Sequence, residues 1–338
     1  MRSMIAWLLI LTNWAFGQAA SPPTPAAGAG QSRPGAKLRV EVINGSQNDQ
    51  PVADQVFTVI IETAEKVLAQ LEGQTDSQGQ ALVEAPAGQF ATVRVRFHDI
   101  AFMSESVALK NETPPPLRVY VYEASPDNSL LQVDTHQLIC KAAENGLLIT
   151  EYLRLTNPSR FAISARQVDS QGSPIVLPIM LPTGYRDFTC SSYFQREALV
   201  FTPTGFFDTM AIAPGSYDIV FSYILPLTSD HLEVRKEFTV PTQAVTIYLA
   251  LTQGQMEGLG APAGQVTLAD GADSSYWMLG AAPAGKAVTF HLRGLSFAAT
   301  EHRSWYILAG AFAILLGLIV YRIRRGRPAK NLSRQSDE

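Results

Sequence analysis

Lys37-Leu38-Arg39-Val40-Glu41-Val42 alternates polar and apolar side chains. Successive side chains of a strand point to opposite faces, so this period of two indicates a strand with one buried face. The same alternation recurs in residues 92–98 and 117–121, and turn-forming residues such as Asn44-Gly45-Ser46 lie between these stretches. Strands about every ten residues, separated by turns, predict a β-sandwich.

One stretch of this region permits two interpretations. Residues 64–72 read AEKVLAQLE, which contains good helix formers. Val67, Ala69 and Leu71 nevertheless alternate with polar residues, and this alternation favours a strand.

A second β domain is predicted over residues 130–295. Ser125-Pro126-Asp127-Asn128 marks the boundary before it, and strand-like stretches and Pro-Gly turns alternate beyond that point. The strand-like stretches are residues 146–157, 217–223, 245–251 and 288–293. The expected fold class is therefore all-β, with an N-terminal β-sandwich, a second β-sandwich-like domain and one C-terminal transmembrane helix.

The turn motifs of the first sandwich follow the order of a known family. They are QPVADQV at residues 50–56, TDSQGQA at 75–81, APAG at 85–88 and IAF at 100–102. In order and spacing this region resembles the carboxypeptidase regulatory-like domains, which usually have glycine where Asp54 stands and often a tyrosine near Phe90. The resemblance implies a transthyretin-like sandwich over residues 37–124, a fold also described as carbohydrate-binding-like, with an accessory role and no catalytic residues.

The N-terminal end has the pattern of a secretory signal peptide over residues 1–19. Arg2, a short apolar run and small residues around the cut site make up this pattern. Cleavage after Gly17 and cleavage after Ala19 both satisfy the small-residue rule, and an uncleaved signal anchor is the alternative. Residues 20–36 are rich in proline, alanine and glycine, which predicts a disordered leader.

The C-terminal end predicts a membrane anchor. Residues 304–321 carry no charge and are long enough for a short transmembrane helix, and the tail 322–338 is basic. The expected anchor residues are the interfacial aromatics and the following arginines, Trp305, Tyr306, Tyr321, Arg322, Arg324 and Arg325. The arginines favour this interpretation over a buried core helix and predict a cytoplasmic C-terminus, with the ectodomain on the outer side of the cytoplasmic membrane.

Charge limits the partners of the ectodomain. Without Arg2 and the tail, 19 basic and 28 acidic residues remain, a net charge of about −9. Nucleic-acid binding requires a basic surface, so nucleic acid is not an expected partner.

The only two cysteines, Cys140 and Cys190, both lie in the exported part. In an oxidising compartment such a pair is most simply one disulfide, which would stabilise the fold by about 4 kcal/mol. Two buried free thiols are the alternative.

Motifs of catalysis and metal binding are not recognisable in the sequence. The five histidines are scattered, and no Gly-x-Ser-x-Gly elbow or glycine-rich phosphate loop occurs. His98 and His291 lie on the polar phase of strands, where solvent exposure is expected. His136 and Cys140 form one pair of potential metal ligands without a third ligand nearby. Residues 270–273 are expected to form a plain turn. We therefore predict no metal site and no cofactor.

Aromatic residues are concentrated in one part of the second domain. They are Tyr185, Phe188, Tyr193, Phe194, Phe201, Phe206 and Phe207. Packing between two sheets would explain most of them, whereas exposed aromatics bind sugars or proteins. The adjacent Phe206 and Phe207 are the best candidates for surface aromatics, because neighbouring strand residues face opposite ways.

These observations favour a membrane-anchored, non-enzymatic binding or scaffold protein, whose partner is an envelope glycan or an envelope protein. An accessory subunit of a membrane-bound envelope assembly or maturation complex is the alternative. A hydrolase with a dispersed active site in residues 130–295 is the remote alternative.

Overall fold

A computed structural model describes residues 36–63, 66–85, 90–109, 114–144, 146–227, 229–251 and 254–295. The predicted signal peptide, the leader up to residue 35, the transmembrane helix 304–321 and the tail 322–338 lie outside the described residues. The same holds for the predicted anchor residues Trp305, Tyr306, Tyr321, Arg322, Arg324 and Arg325. Within the described ranges no helix has the length and apolar character needed to cross a membrane.

The predicted all-β fold is confirmed, since the described residues form strands and only three short 3-10 helices, at Gly45–Gln47, Asn128–Leu130 and Arg196–Ala198. The strands of the N-terminal half are β1 (Ala36–Asn44), β2 (Gln50–Pro51), β3 (Val56–Glu62), β4 (Val67–Gln74), β5 (Gln80–Ala85), β6 (Phe90–Phe97), β7 (Ile100–Met103), β8 (Val107–Ala108) and β9 (Leu117–Val121).

These nine strands form two sheets that share one core. In the first sheet β1 pairs with β2, β5 and β9, and in the second the order is β4-β3-β6-β7 with β8 on β6. The buried core runs from Leu38 to Val121, and in β9 every second residue belongs to it. Each buried valine or leucine side chain stabilises the sandwich by about 1.5–3 kcal/mol. In the stretch with two interpretations, residues 67–72 belong to a strand, β4, as the alternation predicts.

Asp54 lies in a turn of this sandwich with a φ of +55°. This left-handed conformation favours glycine and is tolerated by aspartate. The glycine that carboxypeptidase regulatory-like domains usually have at the corresponding place suits the same backbone conformation.

The remaining strands are β10 (Ala124–Ser125), β11 (Gln132–Ala143), β12 (Gly146–Asn157), β13 (Ala162–Ile163), β14 (Gln167–Val168), β15 (Pro174–Ile175), β16 (Leu177–Met180), β17 (Arg186–Ser192), β18 (Leu199–Thr202), β19 (Gly205–Asp208), β20 (Gly215–Pro226), β21 (His231–Glu237), β22 (Thr242–Ala250), β23 (Gln255–Glu257), β24 (Gly264–Thr267), β25 (Asp273–Ala282) and β26 (Ala287–Arg293).

The largest sheet has seven strands in the order β17-β20-β12-β11-β22-β25-β24. Two three-stranded sheets, β16-β19-β18 and β21-β26-β23, contribute to the same core of buried residues between Leu131 and Leu295. The side of the seven-stranded sheet that faces away from this core is called the outer face below. The boundaries of the predicted domains stay predictions, but the buried residues form two clusters.

A joint of hydrogen bonds connects the two halves of the chain. The hydroxyl of Ser46 accepts from the backbone N–H of Glu123 at 2.9 Å and donates to the backbone carbonyl of Arg160 at 2.6 Å. Next to it β10 pairs in parallel with β13, whose Ala162 belongs to the core of the first sandwich. Backbone groups of the two halves therefore share one buried hydroxyl.

Candidate functional site

Titratable side chains converge in the core of the second sandwich, around Glu151. Its Oε1 accepts hydrogen bonds from the Tyr223 hydroxyl at 2.8 Å and from Lys236 Nζ at 2.9 Å. Its Oε2 lies 2.7 Å from His136 Nε2 and 2.8 Å from Lys236 Nζ. All four side chains are buried, and they are called the Glu151 cluster below.

The strand register explains how the cluster forms. Glu151 on β12 stands opposite Leu138 of β11 and Phe221 of β20 on the core side of the sheet. His136 and Tyr223 are therefore its diagonal neighbours, two residues along those strands, within reach of a long side chain.

Lys236 reaches the cluster from a different sheet. It lies on β21, and its ammonium group also donates to the backbone carbonyl of Met180 at 2.7 Å. The same ammonium lies 5.9 Å from the centre of the Phe221 ring, within the range of a cation–π contact. The ion pair between Glu151 and Lys236 thus joins the seven-stranded sheet to the sheets packed against it.

The protonation states follow from burial and mutual contact. Burial raises the pKa of the Glu151 carboxyl, but the Lys236 ammonium and the His136 hydrogen bond outweigh it and hold this pKa at about 2. Burial lowers the pKa of His136 below its usual range, so its imidazole is neutral and donates through Nε2–H. Burial also lowers the pKa of Lys236, against the pull of the carboxylate. One anion, one cation and two neutral donors leave the cluster without net charge.

The Glu151 cluster is enclosed. A cavity of about 20 Å³ lies beside His136 and Lys236, and apolar side chains such as Leu153, Leu177 and Phe238 form most of its wall. This volume suits about one water molecule and no organic substrate. We therefore interpret the cluster as a structural connection between sheets.

The sequence contains a signal for this cluster that the motif search missed. In β12 the buried positions alternate as Leu147, Ile149, Glu151, Leu153 and Leu155. A carboxylate on the apolar phase of a strand predicts a buried charge, and a buried charge requires a partner. Lys236, between Val234 and Phe238, shows the same pattern.

The prediction of a disulfide between Cys140 and Cys190 is wrong. Cys140 lies on β11 and Cys190 on β17, with β12 and β20 between them in the same sheet, and both thiols are free. Three strand spacings of about 4.8 Å separate the two residues by about 14 Å, whereas a disulfide requires Cα atoms within about 7 Å. Burial raises the pKa of the Cys140 thiol to about 12, which keeps it protonated and unreactive.

The prediction that Phe206 and Phe207 are surface aromatics is also wrong, because both are buried. They lie on β19, the middle strand of its sheet, and both faces of that strand are covered. The Phe206 ring packs against Phe188 and Phe194, with ring centres 4.8 and 5.3 Å apart. These aromatics form the core, which is the alternative that the sequence left open.

Other predicted residues lie where they were expected. His98 and His291 are exposed on strand surfaces or turns. Asp270 lies in a turn closed by a hydrogen bond from the N–H of Leu268 to the carbonyl of Ala272, and it pairs with Lys141. Over the described ranges no group of three or more potential ligands is arranged to hold a metal ion.

The outer face is an open surface of a different character. Its central row runs across five strands through Ser222, Thr150, Ile139, Tyr248 and Tyr276, and each of these residues is partly exposed. The Tyr248 and Tyr276 rings are neighbours, with centres 6.0 Å apart and planes inclined by 36°.

A second tyrosine group on the outer face is held by an ion pair. The Tyr152 hydroxyl donates to the Asp218 carboxylate at 2.7 Å, and Arg154 Nε donates to the same carboxylate at 3.0 Å. Charge is therefore neutralised within this group. The outer face combines half-buried aromatic rings with hydroxyl and amide groups, which makes it the candidate binding surface.

Comparison with known proteins identifies no family. No protein family model matches the chain, and no curated protein matches it. Similar solved structures include "S.CueP", 18% identical over 25% of this chain and 61% of that chain at a TM-score of 0.21. A putative protease from Parabacteroides distasonis is 11% identical over 49% of this chain and 40% of that chain, with a TM-score of 0.31. The major pilin SpaD from Corynebacterium diphtheriae is 12% identical over 80% of this chain and 84% of that chain, with a TM-score of 0.20.

At these scores we draw no conclusion about function from the similar structures. The chain spans less than two thirds of the length of the first two. The structure is largely β-sandwich-like, and the resemblance to carboxypeptidase regulatory-like domains stays a prediction.

Proposed function

We propose that the protein is a non-enzymatic binding or scaffold protein, anchored in the cytoplasmic membrane with its ectodomain outside. The observation that carries this proposal is the contrast between the two faces of the seven-stranded sheet. On the core face, Glu151, His136 and Lys236 bind one another and are sealed from solvent. On the outer face, aromatic and hydrogen-bonding side chains are open to a partner.

The contrast supports binding over catalysis for a physical reason. A catalytic group must reach substrate, whereas Glu151, whose pKa is strongly shifted, is fully buried, and the cavity beside its partners His136 and Lys236 measures only about 20 Å³. The apolar segment 304–321 and the basic tail support the anchoring part of the proposal. A partner in the envelope, either glycan or protein, follows from that location.

The test compares two matched substitutions. Met278 on the outer face is 71% exposed, and Leu82 on the first sandwich is 72% exposed. The full chain is purified in a detergent without a sugar headgroup and incubated with isolated cell-wall sacculi and with solubilised membrane proteins. We expect Met278→Arg to reduce retention by one or both fractions and Leu82→Arg to leave it unchanged.

Two outcomes would contradict the proposal. Retention that is equal in the wild type, Met278→Arg and Leu82→Arg would exclude the outer face as the binding surface. Turnover of a hydrolase substrate that persists in Met278→Arg would indicate an enzyme with a site elsewhere.

A further inference from the structure

We propose that Tyr248 and Tyr276 form a binding site for an uncharged saccharide chain. This inference rests on the proposed function and names the ligand class of the outer face. Its evidence comes from the geometry of the two rings, the groups that surround them and the charge of the surface.

The two rings form one aromatic strip. Tyr248 on β22 and Tyr276 on β25 stand directly opposite each other in the antiparallel register. Their ring centres lie 6.0 Å apart and their planes differ by only 36°. Two neighbouring rings of similar orientation can contact successive sugar units of one chain, because the C–H faces of sugars pack against aromatic faces.

A glycine lets the Tyr276 ring lie along the sheet. Gly264 on the edge strand β24 stands opposite Tyr276. A Cβ atom at Gly264 would lie 2.9 Å from the Tyr276 hydroxyl oxygen and 3.0 Å from Cε1, closer than such atoms approach. The Tyr276 side chain therefore occupies the space over β24 that a side chain at position 264 would fill.

Hydrogen-bonding groups that make no bond to another described side chain or backbone group surround the rings. Thr246 precedes Tyr248 by two residues on the same face, and Gln137 lies opposite Thr246 on β11. Across the described part of the chain, no hydrogen bond involves the side chains of Gln137 and Thr246 or the hydroxyls of Tyr248 and Tyr276. Sugar hydroxyls both donate and accept, so they suit this mixture of amide and hydroxyl groups.

The charge of the surface selects against other ligands. Lys141 lies two residues from Ile139 on the same face of β11, and it pairs with Asp270. Arg154 and Asp218 pair in the same way farther along the face. Asp134, which accepts a hydrogen bond from Thr156 on the same face, adds negative charge, so the surface offers nothing to hold phosphates or acidic peptides, whereas a neutral polyhydroxylated chain loses no charge hydration on binding.

The test uses the full chain in a detergent without sugar headgroups, with chitohexaose and cellohexaose as separate probes. Saturation-transfer NMR reports contact with aromatic protons, and isothermal titration gives the affinity. We expect at least one probe to bind with a dissociation constant of about 1 mM or below. Tyr276→Ala should weaken binding by roughly 3-fold to 10-fold, whereas Tyr276→Phe should keep most of the affinity because the ring remains.

Two further variants separate ring geometry from general damage. Gly264→Ala should weaken binding like Tyr276→Ala, since its methyl group displaces the ring. Tyr120→Ala removes an exposed tyrosine of the first sandwich and should leave binding unchanged.

The inference is overturned if neither probe binds at millimolar concentration, or if Tyr276→Ala and Gly264→Ala bind as the wild type does. In that case a loss of envelope retention in Met278→Arg would leave the proposed function intact. Equal retention in all variants would overturn both.

Discussion

Asp208 is a buried carboxyl group whose charge opposes folding. It ends β19, and its side chain accepts a hydrogen bond from the N–H of Met210 at 2.9 Å. Burial raises the pKa of this carboxyl from its ordinary value of 3.8 to about 6. The folded state therefore favours the protonated form, so stability from Asp208 is complete below about pH 4 and is lost as the pH rises through about 6.

Asp208→Asn should abolish this loss. Between pH 4.5 and 7.5 the wild type should lose about 2 kcal/mol of unfolding free energy relative to the variant, because one pKa unit corresponds to about 1.4 kcal/mol. Urea unfolding at the two pH values measures the difference. Parallel pH profiles for the two proteins would show that the carboxyl is not held in its protonated form.

The Glu151 cluster predicts strong coupling between an acid and a base. Glu151→Leu leaves the Lys236 ammonium buried without a counter-charge, which should lower the unfolding free energy by about 3–5 kcal/mol. Adding Lys236→Met removes the stranded charge, so the double variant should be more stable than Glu151→Leu. A double-mutant cycle measured by chemical denaturation tests this order. Additive effects would contradict the ion pair.

At the scale of elements, turns differ in how tightly their glycines are packed. Gly79 precedes β5 with a φ of +71°, and a Cβ atom there would lie 2.8–2.9 Å from atoms of Pro51, Val42 and Val52. Gly271, before β25, has a φ of +84° and no atom within 4 Å of such a Cβ.

The two glycines form a matched pair for substitution. Gly271→Ala should lower the free energy of unfolding by about 1 kcal/mol, the penalty of the left-handed backbone alone. In Gly79→Ala the new methyl group also clashes with backbone atoms, so the loss should exceed about 2 kcal/mol. Thermal unfolding of both variants measures the difference. Equal shifts of the midpoint would mean that the turn before β5 can relax.

Strands could be predicted from the sequence where alternation is regular. β9 and β12 have the predicted bounds to the residue, because β9 alternates without a break and Asn157-Pro158 ends β12. Strand order could not be predicted in this way. β11 pairs with β22, about a hundred residues farther along the chain, and no local pattern encodes that partner. The disulfide prediction failed for this reason, since it required the distance between β11 and β17.

The site was predictable only in part. The Glu151 cluster left a local signal, a carboxylate on the apolar phase of β12. The sequence contains no local signal for the burial of Phe206 and Phe207, because the packing of whole sheets covers both faces of their strand. The outer face likewise exists only once Tyr248 and Tyr276 are brought together by strand pairing.

For the whole molecule, the joint at Ser46 predicts how the two halves behave together. Ser46→Ala would leave the N–H of Glu123 and the carbonyl of Arg160 without their partner, and each unsatisfied buried group costs about 1–3 kcal/mol. We expect lower stability and faster proteolysis of residues 122–131, between the two cores.

Ser129→Ala is the matched control for this prediction. Among the described residues its hydroxyl binds Asp127 alone, within the same segment, so the substitution should change neither stability nor proteolysis. Equal cleavage rates in Ser46→Ala and Ser129→Ala, measured by limited digestion and mass spectrometry, would show that the joint does not hold the halves together.

Glu151 also distinguishes the correct alignment of β12 from its nearest competitor. A slip of one residue would turn Leu147, Leu153 and Leu155 away from the core, and hydrophobicity alone rejects it. A slip of two residues keeps Leu147, Ile149, Leu153 and Leu155 facing the core. That slip would move the carboxylate by about 7 Å along the strand, away from Lys236. A single acidic residue thus selects the correct strand register during folding, because the apolar side chains alone would also be buried in the misaligned sheet.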